Sequence, residues 1–397
     1  MTNRLHFLKL EIVNHPLINK HTEFSLVTYS RVQVDRTEDL THLFGRIWVN
    51  NIATLIGRNA SGKTLTMKLT LGLLGLMFSN LSISQTHLQE VLIGNQPIKF
   101  NVYLYGDDGS LFKDEIAFRP SDDESDNWAI CEENILVKRA IESMSKKRLF
   151  DFSNAKTQIS RNQLNNIESS LLAPDDSLMR AVIIQHKYVA PVIFDTLLYT
   201  DVNLMMYGSE NVSPALLEYL DPSIDYVKIE RAKGNKAFYR LKFKNSDNEI
   251  TDANFGTLRF YMSSGTVKAI SLYSYVVRAL RSGGILFIDE LENHFHQEIV
   301  NNFIEFFTDP LINRNRATLV FSTHYAELLD RLSRGDQVYV VRRQDKVTVS
   351  RYADIADRQD LLRSEVFTSN YLTGTVPSYD AYMNLRKETA RVIGDDK

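Results

Sequence analysis

The chain has 397 residues, 46 basic against 49 acidic for a formal charge of −3, and a single cysteine, Cys131. That length holds two or three average domains, or one large domain carrying an insertion. The near-neutral balance excludes a global field towards nucleic acid or membrane, and one cysteine excludes a disulfide framework or a multi-cysteine zinc site.

The first residues, MTNRLHFLKLEIVNH, lack a basic region followed by a long apolar core, so no secretion signal is expected. The longest apolar run, Leu69–Phe78, falls far short of the roughly 20 residues that span a bilayer. A soluble, cytoplasmic chain with no membrane partner is the expectation.

Alternating apolar and polar positions predict strands over His6–Val13 and Glu23–Val34, and a further strand is expected over Ile47–Gly57. Directly after it stands Gly57-Arg58-Asn59-Ala60-Ser61-Gly62-Lys63-Thr64, which fits the phosphate-loop pattern G-x-x-x-x-G-K-[ST] at every specified position. Average residue frequencies give about a one per cent chance of such a match in a chain this long. A strand before it and a helix from Lys63 after it are the context the loop needs. Its glycines let consecutive N–H groups wrap round phosphates; Lys63 would reach the β- and γ-phosphates of ATP, and the Thr64 hydroxyl would ligate Mg²⁺.

Residues 97–119 read as two strands joined at Gly106-Asp-Asp-Gly109, a hairpin signal. The acidic run Ser121–Asp126 reads as a solvated loop. From Glu132 to about Met206 the periodicity predicts helices, with a basic stretch over Lys138–Phe150. A second strand pair follows over Asp225–Ile250.

Then comes FYMSSGTVK, Phe260–Lys268, a helix through Val267–Leu280, and the apolar strand Ile285–Ile288 ending in Asp289 and Glu290. Adjacent residues of a strand point to opposite faces, so the two carboxylates are expected to divide the work. Asp289 suits the Mg²⁺ shell, and Glu290 suits polarising the attacking water. A further apolar strand from Ala317 runs into His324, which could donate to the γ-phosphate. His294 and His296 are two apart and would not share a helix face, so no metal site is expected there.

Phosphate loop, Met262–Thr266, Ile285–Glu290 and His324 stand in the order shared by the ABC-type ATPases, the class containing transporter nucleotide domains, SMC proteins and OLD nucleases; the chain resembles that class. The family's L-S-G-G-Q signature reads Met-Ser-Ser-Gly-Thr here: Ser263 and Gly265 agree, while Met262, Ser264 and Thr266 depart from it. The residues after Glu290, LENHFH, occupy the place of the family's dimer-contact loop; Gln85, Gln89 and Gln96 all remain open as its glutamine loop. The resemblance implies an α/β fold, an ABC-ATPase-like split P-loop head with a mostly helical insertion. The expected division is 1–120 and 225–345 for the two halves of the head, 121–224 for the insertion, and 346–397 for a C-terminal tail.

It also implies Mg²⁺-dependent ATP hydrolysis with Lys63, Glu290 and His324 as the catalytic groups, and Thr64 and Asp289 on the metal. Ser263, Ser264 and Gly265 would contact the γ-phosphate held by a second subunit, giving an ATP-sandwich homodimer or a higher even-numbered assembly. LLEYLDPSIDYVKIE, SSGT and DELENHFH together resemble the ABC-like, AAA-type ATPases of bacterial phage-defence systems. That likeness implies a sensor or scaffold that controls a separate effector and responds to a viral trigger protein. The competing reading is a DNA-repair or DNA-maintenance ATPase acting on nucleic acid through the basic stretch at Lys138–Arg148.

Overall fold

The computed structural model describes residues 3–394 apart from 34–36, 122–127, 166–171, 198–210, 232–236, 294, 357–360, 370, 373 and 376–378. The chain divides into two compact units, one formed by Met1–Pro191 with Ser322–Lys397, the other by Val192–Phe321.

In the first unit, β1 (Leu5–Asn14) pairs antiparallel with β2 (Thr22–Ser25) on one side. The strand expected over Glu23–Val34 is thus only four residues long at this point. A two-stranded hairpin, β3 (Leu40–Phe44) with β4 (Ile47–Asn50), precedes β5 (Ile52–Ile56). One strand was expected over Ile47–Gly57, but the chain breaks at Asn51. That residue is fully buried, with its amide donating to Asp39 O and its side-chain carbonyl accepting from Thr41 Oγ1 at 2.6 Å. β5 is buried along its whole length and leads into α1 (Lys63–Phe78), which is buried on nearly every side, as its run of Leu, Gly and Met dictates.

β6 (Ile98–Gly106) and β7 (Ser110–Pro120) form the expected hairpin, closed by Gly109 at φ +84°. Beside them the structure corrects the sequence reading. Residues 128–139, expected to turn helical from Glu132, form β8 (Trp128–Arg139), paired with β7 along its whole length, and β9 (Lys156–Ser160) follows. Ile130, Ile135 and Val137 are β-branched, and the partner edge of β7 decides an apolar pattern that local periodicity leaves ambiguous. The completed sheet runs β2-β1-β6-β7-β8-β9, antiparallel throughout. A helix does form where LMRAVIIQH stands, α2 (Leu178–His186), but the described part of 121–224 is not mostly helical. Residues 198–206 of that expectation, and 122–126 of the acidic run, lie outside the described residues.

The second unit holds a parallel trio, β10 (Ile193–Asp195), β14 (Ile285–Ile288) and β15 (Thr318–Thr323), whose last two residues carry the chain into the first unit. After β10 come α3 (Pro214–Leu220) and the antiparallel meander β11 (Ile224–Arg231), β12 (Ala237–Phe243) and β13 (Glu249–Asp252), in which the strand pair expected over Asp225–Ile250 gains a third strand. α4 (Ser264–Ser282) and α5 (Gln297–Thr308) complete this unit. Back in the first unit, β16 (Val338–Arg343) pairs parallel with β5 and antiparallel with β17 (Val347–Arg351), and α6 (Tyr379–Gly394) forms the tail.

Candidate nucleotide site

The phosphate loop spans the turn between β5 and α1. Arg58, Asn59 and Ala60 are exposed at its crest, while Gly57, Ser61 and Lys63 are buried at its base and Thr64 is half-buried. Ala60 lies at φ +60° and Gly62 at φ +106°, so two left-handed residues curl the backbone back on itself. The glycines are required by space as well. A Cβ on Gly57 would stand 2.3 Å from Val341 O and 2.5 Å from Ser61 Oγ, and one on Gly62 would stand 2.6 Å from a Val347 methyl. Within the curl, Lys63 Nζ donates to Gly57 O at 2.8 Å and to Arg58 O at 3.3 Å. Ser61 Oγ is buried with no hydrogen-bond partner among the described residues. A lysine ammonium held against the loop, glycines with no room for a side chain and an orphan hydroxyl together fit a polyphosphate.

His324 follows β15 in the same unit and is exposed; its ring meets Tyr325 edge to face at 4.9 Å. Of the three glutamines, all exposed, Gln85 accepts from Ser82 N at 3.0 Å in a capping box, while Gln89 and Gln96 lie on the surface.

In the second unit, Ser263 is the N-cap of α4. Its Oγ accepts from Thr266 N at 3.0 Å and lies 2.8 Å from Thr266 Oγ1. Ser263 and Ser264 are exposed and Gly265 is half-buried, so the first turn of a 19-residue helix presents the Ser264 and Gly265 N–H groups beside two hydroxyls, the Thr266 N–H being taken by the cap. Met262 is buried in a core with Leu258, Val267 and Ile270, which explains why an apolar residue other than leucine can open the segment.

β14 ends at Ile288, before either carboxylate. Asp289 and Glu290, both half-buried, therefore lie together in the bend that follows the strand, and the expected division between opposite strand faces does not apply to them. Glu290 adopts φ +47°, uncommon for a residue with a side chain. Asn293 closes the turn: its amide donates to Glu290 O at 2.9 Å, and its side-chain NH₂ donates to Glu290 Oε2.

Sequence reasoning missed Lys268. On the second turn of α4 its Nζ donates to Asn293 O at 3.3 Å and lies 5.7 Å from the centre of the Phe295 ring. Burial lowers its pKa, and the charges of Glu290, Glu292 and Asp289 oppose that shift. Only the basic residue in an otherwise neutral segment hinted at it. His296 has a structural use as the N-cap of α5, while His294 lies outside the described residues. No group of three or more His, Cys, Asp or Glu among the described residues could hold a metal ion on its own.

The basic stretch also reads differently in three dimensions. Lys138 Nζ donates to Arg148 O and Asp151 O, and Lys146 Nζ to Thr28 Oγ1, Tyr29 O and Ser30 O at 2.8–3.0 Å. Burial brings Lys146 down to about 8. Lys147 and Arg148 remain exposed.

A phosphate loop of this geometry between a buried strand and a buried helix defines a P-loop nucleotide-binding protein of mixed α/β structure. Residues 52–330, more than half of the chain, match the family described as "AAA domain, putative AbiEii toxin, Type IV TA system". The chain belongs to that family, whose members are P-loop ATPases of the AAA/ABC type that bind ATP with Mg²⁺. No curated protein matches the chain. Among the described residues no helix is long and apolar enough to cross a membrane.

Proposed function

We propose that the protein hydrolyses ATP as a sensor and scaffold of bacterial antiviral defence, in the manner of abortive infection, and that it controls a separate effector. The observation that carries the ATPase reading is the phosphate loop, with Lys63 held inside a curl that only glycine permits at Gly57 and Gly62. The family's description, with its AbiEii toxin, supports the defence context. Within that context one candidate likeness is the ATPase component of the PARIS anti-phage system, which senses viral anti-restriction proteins.

In this reading the amides of Gly57–Thr64 and Lys63 hold the β- and γ-phosphates. Thr64 and Asp289 are assigned to Mg²⁺, which neutralises phosphate oxygens when bound. Glu290 accepts the proton of the attacking water, and His324 donates to the γ-phosphate. Ser263, Ser264 and Gly265 of a second copy complete the site, so that ATP bridges two heads and hydrolysis weakens the bridge. The competing DNA-maintenance reading rests on Lys138–Arg148, and it loses support because Lys138 and Lys146 are engaged by internal oxygens.

The test measures ATP turnover and mass by light scattering. Glu290→Gln is expected to bind ATP, turn over slowly and accumulate as an ATP-dependent assembly. Ser263→Asp retains a good helix cap but sets a carboxylate against phosphate, and should lose both assembly and turnover. Full turnover in Glu290→Gln would overturn the assignment of the base, and an unaffected Ser263→Asp would overturn the trans contact. Co-purification with the product of a neighbouring gene supports the defence role; salt-sensitive DNA affinity, lost when Lys147 and Arg148 are reversed in charge, would favour the alternative.

A further inference from the structure

Ser263 and Glu290 are assigned to different tasks, yet a short chain of contacts joins them within one unit. Lys268 lies on α4, five residues beyond the Ser263 cap. Its ammonium donates to the backbone carbonyl of Asn293, whose side-chain NH₂ donates to the Glu290 carboxylate. Asn293 also receives Glu290 into a turn through its own amide. Two hydrogen bonds therefore separate the signature helix from the carboxylate that polarises water in the proposed mechanism.

We propose that Lys268 is a positioning residue for Glu290, acting through Asn293, and that it conveys engagement of the signature segment to the water-activating carboxylate. The inference rests on the reading of Glu290 as the base. Three features support the choice of Lys268. Its ammonium stands over the Phe295 ring, 5.7 Å from the centre, a cation–π contact that helps to hold it in place. Its charge lies near three carboxylates, those of Glu290, Glu292 and Asp289, where loss of the charge would alter their balance. Its acceptor is a main-chain carbonyl, so a shift of α4 pulls on the turn itself and not merely on a side chain. Helix shifts of about 1–2 Å are an ordinary means of coupling, and a carboxylate displaced by that much loses its line to water.

The test compares Lys268→Met, Asn293→Ala and their combination, each in the wild-type chain and in Glu290→Gln. Lys268→Met is expected to lower kcat about tenfold with little change in KM for ATP. Asn293→Ala should reproduce that loss, and the double variant should be no worse than either alone, because both break one relay. Lys268→Arg, which can still donate to the carbonyl, should recover most of the rate. In Glu290→Gln, Lys268→Met should cause no further loss, and ATP-driven assembly should persist in all these variants. Losses that multiply in Glu290→Gln, or a change confined to KM, would overturn the relay while leaving the base assignment standing. If Glu290→Gln turns over at the full rate and Lys268→Met still lowers kcat, both the base assignment and the relay fall.

Discussion

Gly62→Ala tests the link between loop geometry and nucleotide binding most directly. Gly62 stands at φ +106°, ψ 16°, and a left-handed conformation costs an L-residue about 1–2 kcal/mol. The added Cβ would also lie 2.6 and 2.7 Å from the two methyls of Val347, about 1 Å inside ordinary carbon contact. Val347 has little freedom to yield: it is fully buried, its amide donates to Leu17 O at 2.8 Å, and its carbonyl accepts from Asn19 N at 2.9 Å. Overpacking of this kind costs about 1–3 kcal/mol. The two effects together amount to about 2–5 kcal/mol, which, if the loop rearranges to relieve them, weakens ATP affinity by about one and a half to three and a half decades. Titration with a fluorescent ATP analogue reads the affinity. Val347→Ala in the same chain should return the steric part and leave the dihedral part, as a double-mutant cycle separates them. Affinity within threefold of wild type in Gly62→Ala would refute the reasoning.

Asp114 lies in the middle of β7 with both carboxylate oxygens buried and without a hydrogen-bond partner among the described residues, and burial, with help from Glu133 and Glu115, raises its pKa well above the usual carboxylate range. The folded chain thus keeps a proton that the unfolded chain releases above about pH 4, and stability falls as pH rises from there towards the folded pKa. Asp114→Leu, of nearly the same shape, should gain about 1–3 kcal/mol, more at pH 7 than at pH 5, in thermal melts at each pH; a loss of stability would show that the carboxyl has a use. Gly284→Ala would set a Cβ 2.4 Å from Val192 O, and hydrogen exchange at Ile193–Asp195 should quicken as β10 parts from β14; unchanged exchange would contradict this.

The sequence made the phosphate loop legible because the loop's function lies in its own backbone. Glycines, lysine and threonine at fixed spacing specify a local curl, and the structure adds only what presses on it, Val341 and Val347. The hairpin of β6 and β7 was legible for the same reason, since Gly109 closes it locally. β8 was not. Asn-Ile-Leu-Val-Lys-Arg-Ala-Ile carries apolar residues compatible with either period, and only the neighbouring edge of β7 settles which one forms. The break at Asn51 had a visible signal in two adjacent asparagines inside an apolar run, but its cause, Thr41, lies ten residues away. Lys268 was illegible because its partners arrive from another element, and sequence spacing carries no record of that meeting.

The backbone of Glu290 has an implication for how this protein could be improved or spoiled. Glycine or asparagine would sit at φ +47° with less strain than glutamate, so the chain gives up some stability to keep a carboxylate there. With Glu290 as the proposed base, a library selected for heat resistance alone would drift towards glycine at this position and yield hardy, inert proteins. Selection for turnover would drive it back, and the tension between the two would mark position 290 as a place where durability and activity compete.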